Sequence, residues 1–291
     1  MPFQKPAMKV PSGAQYMLLS ALGFALMSTC VKLCAQQGIP LLEIVAARSL
    51  VSLVISYIDV RRKGLSLWGT HQRLLIARGV VGTLALICVY YAVTTLPLAE
   101  ATLLQYMHPV FTALLALLIL KEAIQVSTIL CIVLCLAGLV VMVQPGSFDS
   151  AQIRLPPLSV AIALIGAFGS AIAYVLVRKL APLEDASVII FYFPLIALPL
   201  SVVLLRDDFV MPGSQSLVLL LMVGIFTQIG QLGLTHAMRS ETAGKAAAFS
   251  YVQVIFAVIL GWTVFSEIPA TWTWIGGALI LSGAMLNLVR R

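Results

Sequence analysis

The chain has 291 residues, a net charge of +7, 61% hydrophobic residues and only 10% charged ones. Soluble domains carry roughly 45–50% apolar and about 25% charged residues, so this chain cannot clothe a water-facing surface. Its apolar residues come in long blocks, not in the alternating runs of about ten residues that build a β-barrel. A backbone in lipid must hydrogen-bond to itself, so the expected fold is an all-α integral membrane bundle.

Residues 1–13 read as a short cytoplasmic tail. Lys5 and Lys9 precede an apolar block longer than the roughly 20 residues that cross a bilayer, with no small-residue cleavage site, so the block is read as retained. Breaks at Pro, Gly and polar clusters divide the rest into ten spans: 14–36, 41–58, 73–95, 98–120, 125–144, 157–180, 186–205, 215–238, 243–265 and 270–289. Five spans fall in a unit at 14–144 and five in a unit at 157–289, joined by an outer linker at 145–156. The five cysteines (Cys30, Cys34, Cys88, Cys131 and Cys135) all lie inside spans. The i, i+4 pairs lack a nearby histidine and read as packing residues, so no metal or cofactor is expected.

The cations test the count. With both termini inside, cytoplasmic segments hold Lys5, Lys9, Arg61, Arg62, Lys63, Arg73, Lys121, Arg178, Lys179, Arg239, Arg290 and Arg291, and outer loops hold Arg154 and Arg206. Twelve against two is a strong positive-inside bias, and one span more or fewer would scramble it. The positive charge is therefore a topology signal with some attraction to anionic lipid, not a nucleic-acid surface.

A shift of 145 residues aligns 91–142 with 236–287 without a gap and with ten identities, among them Ala101/Ala246, Tyr106/Tyr251, Phe111/Phe256, Glu122/Glu267 and Gly138/Gly283. At shift 146, Gly23 meets Gly169 and Lys32 meets Arg178. The repeat holds five spans, an odd number, so its second copy enters the membrane from the opposite side. Inverted repeats let transporters alternate access around a midplane site. No phosphate-binding loop occurs in the chain, so transport is expected to be secondary or facilitative.

The run Tyr90-Tyr91-Ala92, Leu96-Pro97-Leu98-Ala99-Glu100-Ala101, Pro109-Val110-Phe111, Leu120-Lys121-Glu122 and Gly138 resembles the EamA pattern of the drug/metabolite transporter superfamily. The second half follows it more loosely, with Val254 where Pro109 stands and Gly244-Lys245-Ala246 where Ala99-Glu100-Ala101 stands. The resemblance covers essentially the whole chain. It implies ten helices in two inverted halves and a central cavity lined by spans one to four and six to nine, with five and ten peripheral. It also implies transport of small metabolites (amino acids, nucleotide-like compounds, vitamins, metallophores), mostly outward.

An ionisable side chain inside a span costs roughly 2.5–3.5 kcal/mol on insertion scales and is a functional candidate by default. Arg48 sits about 10 Å into the second span, where its planar fork can grip a carboxylate or phosphate; the structural alternative is a pair with Glu43. Arg78 sits nearer a span end and is a substrate or gate candidate. Gln105, His108 and Thr112 share one face of span four, and Ser250, Gln253 and Ala257 the matching face of span nine, beside Tyr106 and Tyr251. Gln228 and Gln231 in span eight and Tyr192 in span seven complete the substrate-binding candidates; interhelical hydrogen bonding is the competing role for each. Lys32, Glu100 and Lys245 are gating or coupling candidates, with helix capping the alternative for Glu100. His108 is the candidate to exchange a coupling proton. Glu122 and Glu267 are expected to favour the N-terminus of the following helix. Gly166/Ser170 and Ala278/Ser282 have the spacing of close helix contacts.

The expected function is a secondary transporter for a small polar metabolite bearing a carboxylate, exporting it from a bacterial inner membrane as monomer or dimer. Uptake of a nucleoside- or vitamin-like compound such as S-adenosylmethionine or riboflavin is the alternative. A membrane-embedded lipid enzyme is more remote, since the one adjacent acidic Asp pair, Asp207-Asp208, lies beside Arg206 in an outer loop.

Overall fold

The computed structural model describes residues 13–95, 104–143, 156–206, 208–266 and 271–289. These fold as α1 (Gly13–Gln36), α2 (Leu41–Arg62), α3 (Gln72–Thr95), α4 (His108–Leu115, continued by a π turn, Ala116–Leu120), α5 (Val126–Val143), α6 (Pro157–Leu180), α7 (Ala186–Leu205), α8 (Ser214–Ser240), α9 (Ala243–Phe249), α10 (Val252–Phe265) and α11 (Thr271–Val289), with no strand among them. Seven stretches are long and apolar enough to cross a membrane, α9 and α10 counting together as Ala243–Phe265. The shorter apolar helices His108–Leu120, Val126–Gly138 and Trp274–Gly283 supply the other three of ten spans. Span two runs on to Arg62, past the expected end at 58, because basic residues in its last turn suit the helix C-terminus. The tail and the linker lie almost wholly outside the described residues, as do Glu100 and Glu267.

Both expected matching spans are broken, and at matching places. In span four a turn at Tyr106–Met107 precedes α4. Pro109 has no N–H to return to the Gln105 carbonyl four residues back, and the His108 ring takes that carbonyl instead, at 3.1 Å from Nδ1. In span nine the turn falls at Ser250–Tyr251. No proline stands there; the Ser250 hydroxyl donates to Ala247 O at 2.7 Å, a back-bond that bends helices. The ends match too: Lys121 and Ser266, 145 apart, close their helices in the left-handed region at φ 55° and 56°.

Packing repeats this two-fold relation. The main helix pairs are α1 with α8, α3 with α6, α2 with α7, and α5 with α11. Exchanging the halves turns the first pair into the second and returns the last two to themselves. A Cβ on Gly138 would meet Gly276 O at 2.5 Å, and one on Gly283 would meet Cys131 O at 3.1 Å, the same contact seen from either half. These glycines, not Ala278 and Ser282, set the α5–α11 approach; Ala278 and Ser282 face outward. Gly166 does lie at a close approach, against Cys88 and Val89. The bundle's outer face is apolar, with Leu50, Leu84, Leu118, Val203 and Leu217 exposed as lipid contact requires.

Candidate functional site

The polar residues of the interior gather in two groups. In the first, Arg48 from α2 and Arg78 from α3 are each only 3% exposed. Their guanidinium carbons lie 5.5 and 4.8 Å from the centroid of one ring, Phe193 of α7. Arg48 donates from Nη1 to Tyr90 Oη at 3.1 Å, with Met27 Sδ at 3.8 Å. Arg78 donates from Nη2 to Gln231 Oε1 at 2.9 Å. Among the described residues, the buried donors Nε of Arg48 and Nε and Nη1 of Arg78 meet no acceptor. Glu43 does not pair with Arg48: its Oε2 accepts from Val210 N at 3.0 Å, tying α2 to the segment before α8. Among the described residues no carboxylate contacts either arginine.

Two candidates have other partners. Gln228 accepts from Ser52 at 2.6 Å and donates to Ser56 at 2.9 Å, so its amide joins α8 to α2. Tyr192 donates to Trp68 O in the α2–α3 connection at 2.9 Å. One residue along α7, about 100° around the helix, places Phe193 and not Tyr192 at the arginines.

The second group lies at the two helix breaks. His108 Nε2 is 3.3 Å from Ser250 Oγ. Tyr174 of α6 meets the His108 ring edge-on at 5.1 Å. Tyr106 and Tyr251 stack at 5.7 Å, and Tyr251 donates to Tyr106 O at 2.9 Å. Carbonyls only accept, so His108 carries its proton on Nδ1 toward Gln105. Ser250 has a single proton, which serves either Ala247 O or a neutral His108 Nε2. Gln253 is half-buried beside this group, and Ala257 of the expected stripe faces outward.

The two described gating candidates, Lys32 and Lys245, lie at opposite ends. Lys32 stands over the Phe265 ring at 4.3 Å. Lys245 pairs with Glu241 at 3.3 Å at the end rich in Lys and Arg. That end is cross-tied between the halves. Glu122 accepts from Arg178 Nε at 2.7 Å and from Ala243 N at 2.8 Å, and Arg178 also donates to Met238 O at 2.7 Å. Glu122 thus serves the start of α9 in the other half, and not the following helix as expected. Lys63 reaches Asp59 and Asp185, each at 3.1 Å. Burial lowers the Lys63 ammonium, but these carboxylates outweigh it and hold its pKa above the usual value. Glu184 accepts from Thr70 N, Thr70 Oγ1 and His71 N at 2.6–2.7 Å, before α3. Burial raises its carboxyl, and these hydrogen bonds together overcome that and hold it below the usual range.

Phe193, Tyr174, Ser52 and Ser56 were not among the expected site residues. The serines were legible: Ser49, Ser52 and Ser56 recur at i, i+3 and i+7 on one face of α2. The two aromatic residues carry no local signal that separates them from core.

The comparisons agree with this architecture. The EamA-like transporter family model matches residues 11–144 and 157–289. The pseudopaline exporter CntI of Pseudomonas aeruginosa is 32% identical over 271 residues, 93% of each chain. Mouse solute carrier family 35 member G1 is 34% identical, over 92% of this chain and 75% of its own. A crystal structure 18% identical in sequence shares the fold, with a TM-score of 0.76 over 92% of this chain and 96% of that one. The chain belongs to the EamA-like transporter family, of the drug/metabolite transporter superfamily, and is a multi-pass membrane transporter.

Proposed function

We propose that the protein exports a small carboxylate-bearing metabolite across the bacterial inner membrane by alternating access, with both termini cytoplasmic. The observation that carries this is Arg48, a buried guanidinium inside a membrane span with a bare Nε and no carboxylate partner among the described residues. A buried charge left unpaired is costly. Its retention is accounted for by a substrate that supplies the anion during transport. The outward direction is supported by likeness to a bacterial exporter, and the orientation by the positive-inside bias. On this reading 14–144 and 157–289 are the two halves that rock around the site. His108 and a coupling proton remain candidates for the driving step.

The test compares metabolites inside and outside cells with and without the protein, then repeats the comparison with Arg48→Lys at matched membrane abundance. The lysine keeps the charge but loses the fork, so export of the affected carboxylate should fall about tenfold or more. Undiminished export by Arg48→Lys and Arg48→Gln would remove the arginine from the site.

A further inference from the structure

We propose that the site takes a substrate with two anionic groups, one for each arginine: a dicarboxylate or larger polycarboxylate. This rests on the carboxylate reading above and narrows it.

The argument begins with the shared ring. Arg48 and Arg78 come from different helices, yet both guanidinium carbons stand close to Phe193, so they are no more than about 10 Å apart, the sum of those two distances. Among the described residues each arginine donates from a single terminal nitrogen, Arg48 to Tyr90 and Met27 and Arg78 to Gln231. Each keeps at least one buried nitrogen, Nε of Arg48 and Nε and Nη1 of Arg78, without an acceptor among the described residues. Space is kept for the second guanidinium: a Cβ on Gly82 would lie 2.8 Å from Arg78 Nη1 and 3.1 Å from the Phe193 ring.

Two like charges held this close repel, and a ring face offsets only part of each. A neutral ligand leaves both charges unpaired, and a ligand with one carboxylate leaves one. A ligand with two carboxylates gives each fork its planar partner and satisfies the bare donors. Recognition of this kind also discriminates, because a partner lacking the second carboxylate leaves a buried charge exposed to the full desolvation cost.

The full-length protein in lipid nanodiscs is titrated at neutral pH with unbranched dicarboxylates of increasing length, with the monoamide of each, and with inorganic phosphate. The expected result is one dicarboxylate length that binds about 10–100-fold more tightly than its monoamide. Arg78→Gln should collapse that ratio toward one by weakening the dicarboxylate. Gly82→Ala should do the same while keeping every charge, which covers the case in which Arg78→Gln fails to fold. Equal affinity for dicarboxylate and monoamide, both weakened by Arg48→Lys, would overturn the two-anion site and leave the single-carboxylate reading standing. Phosphate binding above every dicarboxylate would also overturn it. If no carboxylate binds at millimolar concentration, both readings fall.

Discussion

Three glycines near one helix interface give a graded test of the packing, because the space at each differs. At Gly138 an added Cβ would meet Gly276 O at 2.5 Å, Ile280 Cγ1 at 3.0 Å and Leu279 Cβ at 3.1 Å. The nearest atom is backbone and cannot swing aside, so α5 and α11 must part. Overpacking costs about 1–3 kcal/mol, and alanine returns about 1 kcal/mol of helix propensity. Gly138→Ala should therefore destabilise by up to about 2 kcal/mol. At Gly283 the contacts are 3.1–3.2 Å, so the two effects nearly cancel. At Gly277 a Cβ meets nothing within 4 Å, and alanine should stabilise by roughly 0.5–1 kcal/mol. The assay is the apparent melting temperature of purified protein in one detergent, read by loss of the monodisperse peak after heating. The order should be Gly277→Ala above wild type, Gly283→Ala near it and Gly138→Ala below. A Gly138→Ala protein as stable as Gly277→Ala would refute the close α5–α11 contact.

Two further outcomes follow from the end rich in Lys and Arg. Glu122→Gln removes the ionic partner of Arg178 but leaves an oxygen for Ala243 N, so a double-mutant cycle with Arg178→Gln should give a coupling of about 1–2 kcal/mol; additive losses would mean that the contact contributes nothing. Glu184 has a depressed carboxyl pKa, so its contribution to stability is complete above its ordinary value of 4.5 and is lost as pH falls through the lower folded value. Thermal melts below pH 5 should accordingly show a shallower acid loss for Glu184→Gln than for wild type, and parallel curves would count against the Thr70–His71 anchor.

The sequence made the ten spans and the repeat readable because both depend on long apolar blocks and on register, which survive without coordinates. The site was readable in its charges only. Arg48 and Arg78 stand out in any apolar helix, but their meeting on Phe193 depends on how α2, α3 and α7 rotate against one another. A one-residue difference along α7 separates Tyr192, which goes to Trp68, from Phe193, and helical spacing alone cannot set that rotation. The same holds for Gln228, whose two serine partners lie more than 170 positions away in the chain. Glu122 was assigned to the nearest helix start, whereas the fold offers it one that is closer in space and distant in sequence.

The two helix breaks share a position but not a cause, so they differ in what could close them. Pro109 opens span four by lacking an atom, and no rearrangement can restore it. Val254, at the matching place, keeps its N–H, which now turns to Tyr251 O at 3.0 Å. Its bend is held by one serine proton with two claimants, Ala247 O and the His108 ring. If the proton goes to histidine, the bond that bends span nine is gone and the helix is free to straighten. The break at Pro109 is therefore built into the covalent chain, whereas the one at Ser250 depends on a hydroxyl that can rotate from the Ala247 carbonyl to the His108 ring.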